Sequence, residues 1–241
     1  MSHRARRVAV IGSGIAGLSV AHALAPESRV TLFEAGDYFG GHTHTVDITL
    51  EGRTHGVDTG FLVFNERTYP KLIRLFGELQ VPTALSDMSF SVQVPDIGLE
   101  WSGSDLNGVF AQRRNLVRPA FWRMLADVTR FNRLATALAE RGVGLGVPAD
   151  AAGAQSIGDF LESHRFSAAF RDWYFLPMIG CIWSCPTDQM LRFPIATMIR
   201  FCHNHGLIQV TNRPRWYTVR GGARQYVDKL LSRIPDARLN T

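Results

Sequence analysis

Hydrophobic and polar positions near the start of the chain follow two successive patterns. Residues 8–11 (VAVI) are all apolar, which is typical of a parallel strand buried on both faces. After a glycine-rich turn, apolar residues recur at helical spacing between Ile15 and Ala25. A second strand is predicted over residues 29–33 (RVTLF). Strand, turn, helix and strand in this order predict an α/β fold with a parallel sheet.

The remaining pattern is mixed and predicts helices and short strands. Two strands joined near Pro95 are indicated by alternating apolar positions and aromatic content. A long amphipathic helix follows, in which Pro119 is tolerated because it lies in the first turn. The predicted elements are a helix over residues 72–79, strands over 82–94 and 97–101, helices over 117–138, from Ser156 onward and over 226–233, and a strand over 234–241. Residues 142–153 (GVGLGVPADAAG) predict a loop or hinge.

A glycine motif occupies the turn between the first strand and the first helix. Gly12, Gly14 and Gly17 have G-x-G-x-x-G spacing, and each glycine has a role in this setting. The first permits the tight turn, the second lets the main chain approach a pyrophosphate, and the third lets the helix pack close to the strand. The N–H groups and the dipole at the start of the helix favour phosphate. The candidate phosphate-binding residues are Gly12, Ser13, Gly14, Ile15, Ala16 and Gly17.

An acidic residue follows the second strand at the distance that a ribose contact requires. Glu34 lies about 20 residues beyond the glycines, where a carboxylate accepts hydrogen bonds from the adenosine ribose. A carboxylate at this position also repels a 2′-phosphate. The sequence therefore disfavours NADP as the bound dinucleotide.

A secretion signal is the alternative interpretation of the same segment. Arg4, Arg6 and Arg7 resemble a basic leading region, and residues 23–25 (ALA) resemble a cleavage site. A signal core requires no glycines at particular positions, whereas the glycines here lie between a strand pattern and a helix pattern. The spacing therefore favours a nucleotide-binding turn.

A second glycine-rich stretch, residues 34–43 (EAGDYFGGHT), resembles a known group of proteins. It is similar to the flavoprotein superfamily of amine oxidases, phytoene-type desaturases and protoporphyrinogen oxidases. In that superfamily the Gly-Gly pair lets the main chain pass against the flavin side of FAD, and an arginine often follows. His42 stands at that position here. The resemblance implies FAD as the cofactor, and it adds Ala35, Gly40, Gly41, His42 and Thr43 to Glu34 as candidate FAD-binding residues.

The resemblance continues in two further segments. Residues 57–61 (VDTGF) are similar to the superfamily's strand and turn after the Gly-Gly loop, and residues 216–223 (WYTVRGGA) to its later strand and second Gly-Gly turn. It implies an α/β fold in which a Rossmann-like FAD-binding domain carries an inserted α+β substrate domain. The implied divisions are the FAD-binding domain over residues 1–75, an insert of two strands and then mostly helices over 76–214, and a return to the FAD-binding domain over 215–241.

The implied activity is that of an FAD-dependent oxidoreductase, in which hydride moves from a substrate C–H to the flavin. The small-molecule substrate would be an amine or an apolar compound of the lipid or isoprenoid kind. The superfamily's segment that closes over the flavin does not occur in this sequence. We therefore expect a C-terminally truncated chain whose catalytic residues lie beyond residue 241. Two alternatives are a non-catalytic dinucleotide-binding module and a peripheral membrane protein.

Composition agrees with a globular enzyme in a reducing compartment. Of 241 residues, 46% are hydrophobic and 20% are charged, which suffices for a large core. Three cysteines, an odd number without a convincing signal, favour the cytoplasm. The longest apolar run, residues 174–183, has about half of the ~20 residues that a membrane-spanning helix needs. No metal site is predicted, because Cys181 and Cys185 would need ligands from elsewhere.

The predicted long helix is strongly basic. Residues 113–141 hold seven arginines against two acids, a net charge of +5 that equals the charge of the whole chain. One interpretation is a solvated face on a helix packed against the core. Another is peripheral contact with the anionic inner surface of the cell membrane, because a basic amphipathic helix with aromatic residues can lie there. Nucleic acid is not a predicted partner, since the charge is confined to one helix without a base-reading motif.

Overall fold

The computed structural model describes residues 6–142, 155–183, 185–209 and 213–241. The strands are β1 (Arg6–Ile11), β2 (Ser28–Phe33), β3 (Thr45–Leu50), β4 (Arg53–Asp58), β5 (Phe64–Asn65), β6 (Thr83–Ser86), β7 (Ser91–Val94), β8 (Leu99–Ser102), β9 (Trp216–Val219) and β10 (Asp236–Arg238). The helices are α1 (Ile15–Leu24), α2 (Pro70–Glu78), α3 (Leu106–Val109), α4 (Pro119–Glu140), α5 (Ile157–Ser163), α6 (Ala168–Phe170), α7 (Leu176–Trp183), α8 (Thr187–Met190), α9 (Ile195–Asn204) and α10 (Arg224–Leu231). The loop predicted over residues 142–153 lies outside the described residues from residue 143 onward.

The chain divides into two compact units. Unit 1 consists of Met1–Asp87 and Arg215–Thr241, and unit 2 of Met88–Pro214. The sequence-based boundary after residue 75 falls inside α2. The structure continues unit 1 through β6, because β6 pairs with β9 of the returning segment. The first boundary therefore lies after Asp87.

A three-stranded parallel sheet in the order β1-β2-β10 forms the centre of unit 1. Val8 pairs with Val30 in the ladder between β1 and β2. Leu32 on the sheet, Leu18 on α1 and Leu230 on α10 are fully buried in one shared cluster. Two helices thus cover the sheet through apolar residues at helical spacing. The predicted order of strand, glycine turn, helix and strand, and with it the α/β class, is confirmed.

The first strand is less buried than its apolar sequence predicts. Val10 is buried, but Ala9 is exposed and Ile11 is 79% exposed. Successive side chains of a strand point to opposite faces. Within the described residues, α1 and α10 cover the face that carries Val10. The prediction of a strand buried on both faces is therefore wrong for β1, because no second layer covers the opposite face in the part of the chain that the structure describes.

Smaller antiparallel pairings account for the other strands. In unit 1, β3 pairs with β4, and β5, β9 and β6 form a sheet in that order. In unit 2, β7 pairs with β8, and a 3₁₀ turn, Pro95–Ile97, joins them. The single strand predicted over residues 82–94 is therefore two strands. Its first part pairs with β9 in unit 1, and its second part pairs with β8 in unit 2.

Helices form most of unit 2. The predicted long helix is α4, and Phe121, Met124 and Phe131 on one of its faces are fully buried. The predicted start of α5 is also present, since the Ser156 hydroxyl accepts a hydrogen bond from the Asp159 N–H at 3.1 Å. Among the helices of the described ranges, none is both long and apolar enough to cross a membrane.

An acid in the middle of α4 engages part of that helix's positive charge. The Asp127 side chain is almost fully buried, and its carboxylate lies 2.9 Å from the Arg130 guanidinium and 3.5 Å from that of Arg123. Burial alone raises the pKa of Asp127. The hydrogen bonds from Ser167 and the two guanidinium groups together lower this pKa by more, so the net shift is downward. Arg130 also donates to the carbonyl of His164 at 2.9 Å. Part of the predicted basic face therefore pairs with a buried acid of unit 2, while the side chains of Arg123 and Arg130 stay partly exposed.

Candidate dinucleotide-binding site

The glycine turn between β1 and α1 has a backbone that only glycine adopts easily. Gly12 has φ +89°, in the left-handed region, and its N–H donates to the Phe33 carbonyl at 2.8 Å. A Cβ added to Gly17 would lie 1.9 Å from the Gly12 carbonyl oxygen. Any side chain at Gly17 would therefore push α1 away from the turn. Gly12 is therefore required for its backbone conformation, and Gly17 for the close approach of two main chains.

The second glycine of the motif faces open space. A Cβ added to Gly14 would meet no heavy atom within 4 Å, and the same holds at Gly12. Gly14 caps α1 in an extended conformation without a side-chain hydrogen bond, and its carbonyl accepts from the Leu18 N–H at 3.0 Å. The N–H groups of Ile15, Ala16 and Gly17 precede that first intrahelical bond. The start of α1 thus offers N–H donors and a positive dipole end beside unfilled space.

The predicted ribose-binding acid is held at this turn by Ser13. Oε2 of Glu34 accepts hydrogen bonds from both the Ser13 N–H, at 2.8 Å, and the Ser13 hydroxyl. Oε1 of Glu34 accepts from the Gly36 N–H at 2.9 Å. These bonds, the Ser13 hydroxyl first and then the Gly36 and Ser13 N–H groups, lower the pKa of Glu34. Ala35 is exposed next to it. The side chain is thus an oriented, negatively charged acceptor.

The Gly-Gly loop lies directly against the glycine turn. The Gly40 N–H donates to the Ser13 hydroxyl at 3.1 Å. A Cβ added to Gly41 would lie 3.0 Å from the Gly14 Cα, and Gly41 has φ +59°. Two main chains are therefore in contact where only glycines fit. Residues that are far apart in the sequence meet on one side of the open space at Gly14.

The last two predicted site residues have different surroundings. Thr43 is buried, and its hydroxyl is hydrogen bonded to the Tyr226 hydroxyl of α10. His42 is exposed, and its carbonyl accepts from the Phe61 N–H at 2.8 Å. A Cβ added to Gly60 would lie 2.1 Å from that carbonyl oxygen. Main-chain contacts thus define the position of His42, while its ring faces solvent.

Sequence reasoning did not identify the residues that anchor these loops. Both carboxylate oxygens of Asp58 accept from the Ala223 N–H, at 2.9 and 3.1 Å, at the start of α10. The Thr45 hydroxyl donates to Asp58 at 2.6 Å and accepts from the Arg224 N–H at 3.0 Å. Asp58 belongs to one segment of the stated resemblance and Ala223 to the other. Both segments were recognised in the sequence, but the hydrogen bond between Asp58 and Ala223 is seen only in the structure.

A separate cavity in unit 1, of about 480 Å³, lies beside α2 and the sheet of β5, β9 and β6. Phe64, Phe76 and Tyr217 contribute much of its lining, and the Tyr217 hydroxyl donates to Glu66 at 3.1 Å. None of the predicted site residues lines it. Its walls are mainly apolar, and Glu66, the one acid among the lining residues, would repel phosphate. The glycine turn, and not this cavity, is therefore the candidate dinucleotide site.

Comparison with known proteins agrees with this assignment at the level of the fold. Residues 10–79 match the family model of the NAD(P)-binding Rossmann-like domain. Among solved structures, cyclohexylamine oxidase from Brevibacterium oxydans is 20% identical with a TM-score of 0.66, over 98% of this chain and 51% of that one. Putrescine oxidase bound to putrescine is 19% identical with a TM-score of 0.60, over 98% and 51%. No curated protein sequence matches significantly.

An oxidoreductase from Methanosarcina mazei is a third similar structure, 16% identical with a TM-score of 0.54, over 97% of this chain and 50% of that one. The chain therefore spans about half the length of the solved structures that it matches. Sequence identities this low establish the fold and not the substrate. Residues 10–79 thus form a Rossmann-like domain, and over nearly its whole length the chain is similar in fold to about half of cyclohexylamine oxidase and of putrescine oxidase.

Proposed function

We propose that the chain is the dinucleotide-binding part of an FAD-dependent oxidoreductase that removes hydride from a substrate C–H. The observation that carries the proposal is the contact between Gly41 and Gly14 beside the open space at Gly12 and Gly14. A turn that served only to pack a helix on a strand would need Gly12 for its backbone conformation and Gly17 for the close approach, but not Gly14. The further glycines clear a path along which a ligand's phosphates can approach the main chain.

The described residues fit an adenine dinucleotide from the pyrophosphate to the ribose. The N–H groups at the start of α1, in Ile15, Ala16 and Gly17, would donate to the phosphates. Glu34, kept ionised by its bonds to Ser13, would accept from the ribose hydroxyls. The Gly-Gly loop would let the main chain run beside the flavin half. FAD, when bound, supplies the hydride acceptor, and the protein supplies binding and orientation.

FAD is favoured over the nicotinamide dinucleotides by the second loop. The matched family model names NAD(P), but the flavoprotein resemblance implies that Gly40 and Gly41 run against the flavin side of FAD, and this loop contacts the first glycine turn. The similar structures are oxidases of putrescine and of cyclohexylamine, which supports the same choice. NADP is disfavoured because its 2′-phosphate would approach the carboxylate of Glu34.

The substrate class that we propose first is an amine, because two similar structures are amine oxidases by name. An apolar compound of the lipid or isoprenoid kind remains the second candidate from the sequence resemblance. We assign no catalytic residue. The flavin would carry the chemistry, and the residues that position the substrate would come from outside the described site.

A binding titration tests the proposal on the chain as it exists. FAD, NAD and ADP are each titrated into the purified chain and followed by calorimetry, with flavin fluorescence as a second readout for FAD. We expect FAD to bind more tightly than NAD, and ADP to bind more weakly than FAD. Tighter binding of NAD would favour a nicotinamide module. Failure of all three to bind would refute the dinucleotide assignment.

A further inference from the structure

A corner of unit 2 carries apolar side chains that face solvent. We call residues 106–123 the α3–α4 corner; it comprises α3, a 3₁₀ turn over Arg113–Val117 and the first turn of α4. Leu106 is 78% exposed and Val117 is 83% exposed. Leu116 and Trp122 are each about half exposed. Exposed apolar side chains grouped on one corner of a folded unit are typical of a contact site.

Contacts within the corner hold these side chains at the surface. The Trp122 indole N–H donates to the Leu116 carbonyl at 2.9 Å, and the Trp122 ring lies 5.3 Å from the ring of Phe110. The Asp105 carboxylate accepts from the Gly108 N–H at 2.7 Å and so caps α3. The apolar side chains are therefore presented by a backbone that is fixed at both ends of the corner.

The corner is also basic. Residues 106–126 contain no acid and four arginines, namely Arg113, Arg114, Arg118 and Arg123. Arg113 donates to Asn107, the neighbour of Leu106, at 3.5 Å. Arg114 donates to the carbonyl of Gly98, beside the exposed Ile97. Guanidinium groups therefore flank the exposed aliphatic side chains on two sides.

Outside the corner, Arg133 and Arg141 of the predicted basic segment are exposed, whereas Arg130 is engaged by its neighbours. The Arg130 guanidinium lies 4.1 Å from the centre of the Phe166 ring, and it donates to the carbonyls of His164 and Arg165. It also pairs with the buried Asp127. The sequence could not separate these engaged arginines from the solvent-facing ones. In the α3–α4 corner, exposed aliphatic side chains and arginines occur together. Two of its four arginines have further contacts, because Arg123 lies 3.5 Å from Asp127 and Arg118 lies 4.8 Å from the centre of the Trp173 ring.

We propose that the α3–α4 corner binds the surface of an anionic lipid bilayer. Leu106 and Val117 would enter the boundary between headgroups and acyl chains, and Trp122 would lie at headgroup level. Arginine stems can lie along apolar surface while their guanidinium groups bind lipid phosphates. The apolar and cationic components therefore match the two layers of such a surface. This inference does not depend on the FAD assignment.

The aliphatic side chains favour a bilayer over nucleic acid. Arginines and one tryptophan could contact phosphates and stack on bases, but Leu106 and Val117 gain nothing from either. Contact of the exposed aliphatic side chains with a partner is favourable where it removes water from them, as at the boundary with the acyl chains. A second copy of the chain would supply apolar surface but would oppose four arginines to four arginines.

Vesicle co-sedimentation of the purified chain tests the proposal. The probes are phosphatidylcholine vesicles with and without 30% phosphatidylglycerol, at low salt and at about 0.5 M NaCl. We expect binding only to the anionic vesicles and a large loss at high salt. Leu106→Glu with Val117→Glu should remove binding. Arg113→Gln with Arg114→Gln should weaken it about fivefold for each arginine.

Matched variants in unit 1 control for charge and folding. Leu50→Glu with Leu85→Glu, at side chains that are 63% and 71% exposed, adds the same two negative charges elsewhere. Arg29→Gln with Arg53→Gln removes two exposed arginines. Both controls should bind like the parent chain. Equal binding by all variants, binding to single-stranded RNA but not vesicles, or self-association that Val117→Glu abolishes would each overturn the proposal. Circular dichroism verifies that every variant is folded.

Discussion

Ser13 and Glu34 are joined twice, because the N–H and the hydroxyl of Ser13 both donate to Oε2 of Glu34. The same hydroxyl accepts a hydrogen bond from the Gly40 N–H. One buried serine therefore fixes the glycine turn, the acid after β2 and the Gly-Gly loop relative to one another. The middle residue of G-x-G therefore connects three segments of this protein.

Replacing that serine should change the titration of Glu34. The Ser13 hydroxyl is the largest cause of the lowered pKa of Glu34, whose usual value is 4.5. We expect Ser13→Ala to raise this pKa toward the usual value. The carbon-13 NMR titration of the Glu34 carboxyl measures the shift. Ser232→Ala, which removes a hydroxyl bonded to the Lys229 carbonyl, should leave the curve unchanged.

The same lowered pKa has a consequence for stability. Because the folded pKa of Glu34 lies below the unfolded one, its contribution is fully present above the usual value of 4.5 and is lost as pH falls through the folded pKa. Ser13→Ala should flatten that part of the curve of unfolding free energy against pH. An unchanged slope between the variant and the parent would contradict the prediction.

Glu34 should contribute directly to dinucleotide affinity. A hydrogen bond to a charged group contributes about 1.5–3 kcal/mol, so Glu34→Gln should weaken FAD binding about tenfold to a hundredfold. Calorimetric titration with FAD measures the change. Glu27→Gln, at an exposed acid in the same unit, is the control and should bind like the parent. Equal affinity in all three proteins would remove the ribose assignment.

Two glycine-to-alanine changes should have opposite effects. At Gly17 the new Cβ would lie 1.9 Å from the Gly12 carbonyl oxygen, so Gly17→Ala should destabilise unit 1 by about 3 kcal/mol and weaken FAD binding. At Gly77, inside α2, a Cβ meets nothing within 4 Å. Gly77→Ala should therefore stabilise by about 0.5–1 kcal/mol. Urea unfolding followed by circular dichroism compares the two variants.

Asp58 should be a stabilising residue and not a ligand contact. It accepts from the Ala223 N–H and from the Thr45 hydroxyl, so Asp58→Ala should cost about 2–3 kcal/mol. Asp58→Asn keeps one acceptor oxygen and should cost less. Asp37→Ala, at an exposed position, should change the unfolding free energy little. A loss as large in Asp37→Ala would show that the effect is not specific to Asp58.

The cysteines should differ in reactivity. Burial raises the pKa of both thiols, and that of Cys202 to about 12, but Cys181 is exposed and Cys202 is buried. The thiolate is the reactive form, so iodoacetamide at pH 8 should label Cys181 in the folded chain and leave Cys202 unmodified. Peptide mapping by mass spectrometry reads the sites, and labelling in denaturant gives the reference. Fast labelling of Cys202 in the folded chain would contradict the burial.

Elements whose signals are local were predictable from the sequence. The turn at Gly12, the helix α1 and the cap at Ser156 each depend on residues within a few positions of one another. Pairings between distant segments were not. Residues 82–94 alternate as a strand does, but periodicity does not name a partner, and β6 pairs with β9 more than a hundred residues later. A local sequence pattern predicts the conformation of a segment, but it does not predict which other segments pair with it.

The candidate site divides in the same way. The glycines and Glu34 were found because a dinucleotide constrains their types and spacing. The anchors Asp58 and Tyr226 were not, because any group that satisfies Ala223 or Thr43 would serve. Composition likewise gave the net charge of the basic segment but not which arginines are engaged. Only coordinates distinguish Arg130, which lies on Phe166, from Arg113 at the open corner.

The bare face of the parallel sheet, where Ala9 and Ile11 meet solvent, affects how this protein can be handled. Dyes such as anilinonaphthalene sulfonate, which fluoresce on apolar surface, should bind the native chain before any heating. Melting curves recorded with such dyes would then begin from a bright baseline and conceal the transition. Ellipticity or intrinsic tryptophan emission, recorded in dilute samples, is the sounder measure of its unfolding.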